Sequence, residues 1–348
     1  MESQSRSFGS TSAGEATLYT LKAGKVTASV TNFGATLVSF TIEGKDGKIT
    51  DVALGHDDAS AYEKGGGHIG ATIGRHANRI GGAAFILNGN KVQLAANENG
   101  NNLHSGPDFY DHRIFSTDGV SADGHAITFS LESPDGDQGY PGNLKMSVTY
   151  SLSEDGSLKL HYEGETDADT IFNPTNHSYF NLNGEGSGTI LNHRMQIFAD
   201  RFVCIDSESI PTGELRRVQG TPFDFTEPKE IGRDLGLDDG QLKNGTGYDH
   251  CFCLGDDQGE LRKAVTVCSP ESGIQMDVFT DLPGIQFYTG NYLRDEPGKA
   301  GHVYHDRDGF ALESEFYPDS VNKTDFASPV LKKGEKFTSD TVYRLSLH

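Results

Sequence analysis

The chain has 348 residues, 43 of them glycine, and its 29 basic against 50 acidic residues give a formal net charge of −21 at pH 7. This negative charge repels phosphate backbones and anionic membrane surfaces, so we expect neither nucleic acid nor membrane as a partner. Glycine favours tight turns and weakens helices, so the composition predicts short strands joined by many turns rather than a helical bundle.

The N-terminal segment is rich in Ser and Gly and lacks the apolar stretch of a signal peptide. We predict a disordered tail over residues 1–14 and a single domain over residues 15–348, because no linker or composition shift interrupts the rest of the chain. The four cysteines include no C-x-x-C pair and are typical of free thiols in a reducing compartment. These features favour a cytoplasmic location.

Alternating apolar and polar residues, the pattern of a half-buried strand, recur along the chain. The clearest runs are residues 26–30, 127–131, 144–152 and 158–162. Turn sequences at Asp123-Gly124 and Glu154-Asp155-Gly156 separate such runs at hairpin spacing, which favours antiparallel sheets. Helical periodicity is scarce, and only residues 57–64 and 227–235 are predicted as short helices. The expected fold class is all-β.

One glycine-rich segment resembles a nucleotide-binding loop but lacks its context. Residues 65–70 match G-x-G-x-x-G, yet the segment before them is polar and no long helix follows. The segment is therefore predicted to be a flexible loop.

Five segments concentrate polar and aromatic side chains at predicted strand ends and turns. They are residues 74–80, 101–106, 173–182, 247–250 and 312–319. Amides and carboxylates bind hydroxyl groups and aromatic faces cover C–H surface, so this set suits a neutral polyol. His177, between polar and aromatic neighbours, and Glu313, after an apolar run, are the candidates for acid–base chemistry, with purely structural roles as the alternative.

The same segments give the chain a resemblance to the aldose 1-epimerase (galactose mutarotase) family from about Thr17 to Leu347. The matching stretches, in the family's order, are GATIGRHANRI at 70–80, NNLHSGP at 101–107, DGDQGYPGNL at 135–144, NPTNHSYFNLNG at 173–184, IPTGEL at 210–215, GYDHCFCL at 247–254, PGIQFYTGNYL at 283–293 and ALESEFYPDSVN at 311–322. The resemblance implies a large antiparallel β-sandwich, the galactose mutarotase-like supersandwich, with few short helices. It also implies interconversion of the α and β anomers of free aldohexoses such as galactose and glucose, without a metal or an organic cofactor.

The resemblance also assigns roles to individual residues. His177 is expected to be the general acid and Glu313 the general base, with His177 protonated, Glu313 ionised and a nearby carboxylate favouring the imidazolium. The residues expected to bind the sugar are Asn78, Arg79, His104, Tyr179, Asp249 and Gln286. Arg75 is expected to be a structural support. Glu315 competes with Glu313 because both face the same side of a strand, and the position in the family favours Glu313.

Three other functions are open at this point. An epimerase acting on a sugar phosphate would need several basic residues around the phosphate, and the matching segments offer mainly Arg75 and Arg79. A glycosidase with paired carboxylates would leave His177 without a role. A catalytically silent sugar-binding module would not need both His177 and Glu313. The expected partner is a free aldose, and the expected assembly is a monomer or a homodimer.

Overall fold

Antiparallel strands are the predominant secondary structure in the computed structural model, which describes residues 4–255 and 259–348. The first strands are β1 (Ser5–Thr11), β2 (Gly14–Ala23), β3 (Val26–Thr31), β4 (Thr36–Glu43), β5 (Ile49–Asp51), β6 (Thr72–Ile73), β7 (Arg79–Ile80), β8 (Ala84–Leu87), β9 (Asn90–Gln93), β10 (Asn102–Leu103), β11 (Ala126–Ser133), β12 (Leu144–Leu152), β13 (Ser157–Thr166), β14 (Thr170–Ile171) and β15 (Thr175–Asn176). The remaining strands are β16 (Tyr179–Phe180), β17 (Arg194–Ile197), β18 (Arg201–Ile205), β19 (Pro211–Arg217), β20 (Lys229–Glu230), β21 (Asp249–Cys253), β22 (Arg262–Cys268), β23 (Ile274–Thr280), β24 (Gly284–Tyr288), β25 (Glu296–Pro297), β26 (Val303–Tyr304), β27 (Phe310–Glu315), β28 (Val330–Leu331) and β29 (Lys336–Leu347).

Helices are short. The α-helices of the described ranges are α1 (Ala59–Lys64) and α2 (Gly240–Asn244), and 3₁₀ turns lie at Gly81–Ala83, Tyr110–His112, Asp137–Gly139, Lys299–Gly301 and Ser320–Asn322. Helix α1 confirms the prediction over 57–64 and begins after Asp58, whose side chain accepts a hydrogen bond from the amide of Ala61. Neither described α-helix has the length and apolar character that crossing a membrane requires.

The predicted helix over 227–235 is wrong. Residues Lys229–Glu230 instead form β20, which pairs antiparallel with Arg194 and Met195 of β17. The Lys229 ammonium also donates to the carbonyl of Pro222 and the carboxylate of Asp234. The pairing with β17 is the non-local contact that the local sequence does not reveal.

Three larger sheets build the fold. Their strand orders are β1-β2-β3-β4-β5, β11-β12-β13-β29-β23-β22-β17-β20 and β16-β27-β24-β21-β18-β19. The rings of Phe180 and Tyr343 lie 5.0 Å apart between the six- and eight-stranded sheets, and those of Tyr19 and Phe129 lie 5.9 Å apart between the five- and eight-stranded sheets. Apolar faces therefore pack sheet on sheet, which confirms the predicted all-β sandwich.

The predicted alternation is visible in β12. Its apolar residues from Leu144 to Leu152 are buried, while the intervening Lys145 is exposed and Ser147, Thr149 and Ser151 are half-buried. The strand pairs with β11 and β13 in continuous register, as the hairpin turns predict. All four cysteines lie within the described ranges and form no disulfide with one another.

The predicted disordered tail over 1–14 is wrong for residues 5–14. Strand β1 pairs antiparallel with β2 from Ser5 opposite Tyr19 to Thr11 opposite Gly14. Phe8 is buried, and its ring lies 6.1 Å from that of Tyr62. Main-chain hydrogen bonds and this one buried ring fix a segment that is otherwise polar. Residues 1–3 of the predicted tail lie outside the described residues.

Arg75 is a buried connector rather than a surface cation. Its guanidinium donates to the Ser133 hydroxyl at 2.8 and 3.0 Å, to the carbonyls of Ser133, Pro134 and Pro141 at 2.9, 3.0 and 2.8 Å, and to the Thr170 hydroxyl at 3.1 Å. Every one of these acceptors would lose its donor if the guanidinium were absent. The contacts fasten segment 74–80 to the end of β11 and support the predicted structural role.

We expect Arg75→Met to lower the free energy of unfolding by about 3–5 kcal/mol, because it strands several buried acceptors at once. Urea denaturation followed by circular dichroism measures this change. Arg216→Met is the matched control, since the Arg216 side chain is 40% exposed and forms a surface ion pair with Glu214, and it should change stability little. Equal effects of the two substitutions would contradict the connector role.

Candidate active site

The site is built on one face of the six-stranded sheet. Tyr179, Ala311, Tyr288 and Asp249 form one row across β16, β27, β24 and β21, and Glu313 pairs with Gln286 in the next row. Because side chains alternate along a strand, the Glu313 and Asp249 side chains share a face. The intervening Phe310 and Leu312 belong to the apolar core on the opposite face. Strand β27 thus separates core from site by its period of two.

The main chain of His177 is fixed on both sides. Its amide donates to the carbonyl of Ala71 and its carbonyl accepts from the amide of Gly70, each at 2.9 Å. Gly70 has a φ of +73°, and a Cβ there would lie 2.1 Å from the carbonyl oxygen of Leu37. Only glycine permits this close approach to Leu37. Gly70 is therefore required where the main chain that hydrogen-bonds His177 runs against β4.

Loops cover the site face. The main-chain amide of His104 donates to the carbonyl of Asn78 at 3.0 Å, and the main-chain amide of Asn78 donates to His104 Nδ1, also at 3.0 Å. Since Nδ1 accepts this bond, Nε2 of a neutral His104 carries the hydrogen. The imidazole is therefore oriented as a hydrogen-bond donor through Nε2.

The predicted site residues meet at one cavity of about 260 Å³. Those that line it are Asn78, Arg79, His104, His177, Tyr179, Asp249 and Glu313. Gln286 does not line the cavity, and its side-chain amide donates to Asp249 Oδ1 at 2.6 Å. It therefore orients the Asp249 carboxylate. Glu315 is buried and accepts from the Asn78 side-chain amide at 3.2 Å.

Other lining residues escaped the sequence analysis. They are Gly67, His68, Glu98, Leu103, Tyr288 and Tyr292. The two tyrosines fall inside the matched segment 283–293, where aromatic character was a usable signal. His68 lies in the glycine-rich segment 65–70, which is predicted to be a flexible loop, and no local sequence feature marks Glu98.

Arg79 is the cation of the cavity, and carboxylates surround it. Its Nε and Nη2 donate to Glu98 at 2.6 and 3.0 Å, and its Nη1 lies 3.8 Å from Asp249 Oδ2. Burial raises the pKa of Asp249 above its usual range, although the Arg79 charge and the Gln286 hydrogen bond oppose the shift. The guanidinium is thus already engaged by anions of the protein.

His177 and Glu313 face each other, with Nε2 3.6 Å from Oε1. Burial raises the pKa of Glu313 well above its usual range, and the Asp249 charge adds to the shift. Burial also lowers the pKa of His177 to about 3, and the positive charge of His68 adds to this effect. The unliganded pair therefore keeps its proton on Glu313, contrary to the expected imidazolium and carboxylate, because burial disfavours both charged forms.

Three side chains approach the arrangement of a metal site. Ligand atoms of His104, His177 and Glu313 lie within 4.8 Å of one another. A metal-binding histidine normally donates its second ring N–H to an acceptor. His104 Nδ1 instead accepts the Asn78 amide, so its Nε2 cannot offer a lone pair without losing that bond. The donor set does not fit a three-ligand metal centre.

Comparison with known proteins gives a consistent family. A family model described as aldose 1-epimerase matches residues 17–344. The galactose mutarotase of Sus scrofa is 39% identical over 343 residues, which cover 98% of this chain and 97% of that protein. The aldose 1-epimerase of Escherichia coli (strain K12) is 39% identical over 315 residues, which cover 90% of each chain.

Solved structures show the same architecture. Galactose 1-epimerase from Lactobacillus acidophilus NCFM superposes with a TM-score of 0.86 at 28% identity, covering 99% of this chain and 98% of that chain. An aldose epimerase homologue from C. elegans gives a TM-score of 0.85 at 28% identity, covering 95% of this chain and 98% of that chain. The fold is thus the galactose mutarotase-like sandwich.

The buried carboxyls predict how stability depends on pH. Burial and the Glu313 charge raise the pKa of Glu315 well above its usual range, so the folded state holds a proton that the unfolded chain releases near pH 4.5. Stability from this group is complete below that pH and is lost as pH rises toward the folded pKa. We expect Glu315→Gln to remove part of this loss.

Chemical denaturation at pH 5 and pH 8 checks this expectation. The decline in the free energy of unfolding between the two pH values should be smaller for Glu315→Gln than for the wild type. Glu154→Gln, at an exposed turn, is the control and should follow the wild type. A decline unchanged by Glu315→Gln would show that Glu315 binds no extra proton in the folded state.

Proposed function

The chain belongs to the aldose 1-epimerase family and is a carbohydrate isomerase of the mutarotase type, and from that premise we propose that it interconverts the α and β anomers of free aldohexoses such as galactose and glucose. His177 is the general acid and Glu313 the general base in this proposal. The observation that carries it is the 3.6 Å approach of His177 Nε2 to Glu313 Oε1 at a cavity lined by hydroxyl-binding groups.

Mutarotation needs one proton donor and one proton acceptor. The ring opens when the bond between C1 and the ring oxygen O5 breaks, while O1 loses a proton and O5 gains one. Rotation about the C1–C2 bond exposes the other face of the aldehyde, and reclosure returns both protons. The pair of His177 and Glu313 supplies one donor and one acceptor in either arrangement of its shared proton, so no covalent intermediate is needed.

Sugar binding sets the direction of proton transfer in this proposal. A sugar O1–H that donates to the Glu313 carboxylate favours its ionised form, because a hydrogen bond to a charged acceptor stabilises that charge. The shared proton then moves to His177, which delivers it to O5. His104 Nε2–H, Asn78, Arg79 and Asp249 hold the other hydroxyls, with Tyr179 against the ring.

The charge distribution favours a neutral sugar over a sugar phosphate. Arg79 is engaged by Glu98 and Asp249, and Arg75 is buried in contacts away from the cavity. A phosphate would therefore compete with carboxylates for one guanidinium, and Asp249 would repel it. We propose free aldoses as substrates, and the cytoplasmic location and the monomeric or homodimeric state stay predictions.

Polarimetry of freshly dissolved α-D-galactose tests the proposal. Wild-type protein should accelerate the relaxation of optical rotation, and His177→Asn or Glu313→Gln should each reduce kcat by about 10²–10⁴-fold, the usual contribution of a placed proton transfer. Glu154→Gln should keep wild-type activity. Activity abolished by Glu315→Gln but retained by Glu313→Gln would overturn the assignment of the base.

A comparison of glucose and glucose 6-phosphate as substrates tests the proposed sugar class. We expect glucose to relax faster in the presence of the protein and glucose 6-phosphate to be a much poorer substrate, because the cavity offers no unengaged guanidinium. The comparison of kcat/KM on the two sugars measures this preference. A higher value on the phosphate would favour the sugar-phosphate epimerase instead.

A further inference from the structure

An imidazole outside the proposed acid–base pair also reaches the cavity, and it is paired with a carboxylate that does not line the cavity. His68 lies in segment 65–70 between α1 and β6, and its ring forms part of the cavity wall. Its Nδ1 lies 2.6 Å from Asp111 Oδ2. The ring centroid is 5.0 Å from that of His104 and 6.0 Å from that of His177. The loop therefore places a third histidine beside the proposed general acid.

The Asp111 contact fixes the chemistry of the His68 ring. An ionised carboxylate can only accept, so Nδ1 carries the hydrogen and Nε2 is the nitrogen left for a ligand. Burial raises the pKa of Asp111, but the His68 charge and hydrogen bond outweigh burial and hold it below its usual range. A base oriented by a carboxylate is a recurring arrangement of acid–base sites.

The local backbone also points to a constrained position. His68 has a φ of +54°, in the left-handed region, which histidine adopts more often than most other non-glycine residues do. The Asp111 hydrogen bond and a T-shaped contact with the Phe109 ring, with the two ring centroids 4.8 Å apart, hold the imidazole there.

We propose that His68, oriented by Asp111, hydrogen-bonds a sugar oxygen on the His177 side of the cavity and tunes the pH range in which His177 and Glu313 act. The inference rests on the proposed mutarotase function. The charged and titratable groups around His68 are Asp111, His104 and His177, with His112 Nε2 4.0 Å from Asp111 Oδ1 and Glu313 beyond His177.

The effect on His177 has a definite sign. After burial, the His68 charge is the next cause that lowers the pKa of His177. Removing that charge lets the His177–Glu313 pair bind its protons at higher pH. Both limbs of the pH–rate profile should therefore move to higher pH.

His68→Asn tests this inference, because asparagine tolerates the left-handed backbone and its amide can still donate to Asp111. We expect kcat/KM for galactose at pH 7 to fall about tenfold through the lost hydrogen bond to a charged group, and the pH profile to shift upward by about one unit, as one charge a few ångströms away implies. Asp111→Asn and the double variant should show non-additive effects, since the two residues act as a unit.

His161→Asn is the matched control. His161 Nδ1 lies 2.7 Å from Asp340 Oδ1 in a similar pair, on β13 and away from the cavity lining. It should leave the pH profile unchanged. A His68→Asn profile that superimposes on the wild type, or an equal shift from His161→Asn, would overturn the inference.

A measurement on the wild-type protein covers the case in which His68→Asn does not fold. The galactose analogue 1,5-anhydrogalactitol lacks O1 and cannot isomerise. Its binding should shift the His68 ring signals in NMR spectra, and unchanged His68 signals alongside shifted His104 and His177 signals would overturn the contact. If the protein binds the analogue but does not accelerate galactose mutarotation, the proposed function is wrong. The His68 signals then still show separately whether His68 contacts the ligand.

Discussion

The burial of three carboxyl groups on one face of the six-stranded sheet is the constraint on which the site depends. Glu313 and Glu315 lie on β27 and are buried, and Asp249 lies on β21, on the other side of β24, with only 14% of its side chain exposed. Buried charge is costly unless it is paired or neutralised. The protein meets this cost with one engaged guanidinium, side-chain amides on Asp249 and Glu315, and retained protons. The covering loops of Asn78 and Arg79 are therefore electrostatic partners as well as walls.

This constraint also explains why the acid–base pair shares a single proton. Burial disfavours both the imidazolium form of His177 and the carboxylate form of Glu313. In the unliganded pair each side chain is therefore uncharged, with the proton on Glu313. A hydroxyl-rich substrate restores hydrogen bonds that water would otherwise provide. The hydrogen-bonding groups that line the cavity are complementary to the hydroxyls of a sugar, and in the proposed mechanism binding is the event that redistributes the proton between His177 and Glu313.

Much of the fold could be predicted because its information is local. The period of two along β12 and the hairpin turns identify strands directly, and the ordered motifs identify most of the cavity lining. The errors arose where non-local partners decide. Residues 5–11 form a strand because they pair with β2 and because Phe8 packs against Tyr62. Lys229 lies in a strand rather than the predicted helix because it pairs with β17. His68 depends on Asp111, 43 residues later, and the protonation of Glu313 depends on loops more than 200 residues earlier in the chain.

The tyrosines at the cavity give the site a spectroscopic property of its own. The chain contains 13 tyrosines and no tryptophan, so its near-ultraviolet emission is free of the indole signal that dominates in most proteins. Tyr179, Tyr288 and Tyr292 line the cavity, with the Tyr179 and Tyr288 rings 6.0 Å apart. Occupation of the cavity changes the surroundings of these phenols directly. The unlabelled protein thus carries its own optical reporter of ligand occupancy, at the place where the reaction is proposed to occur.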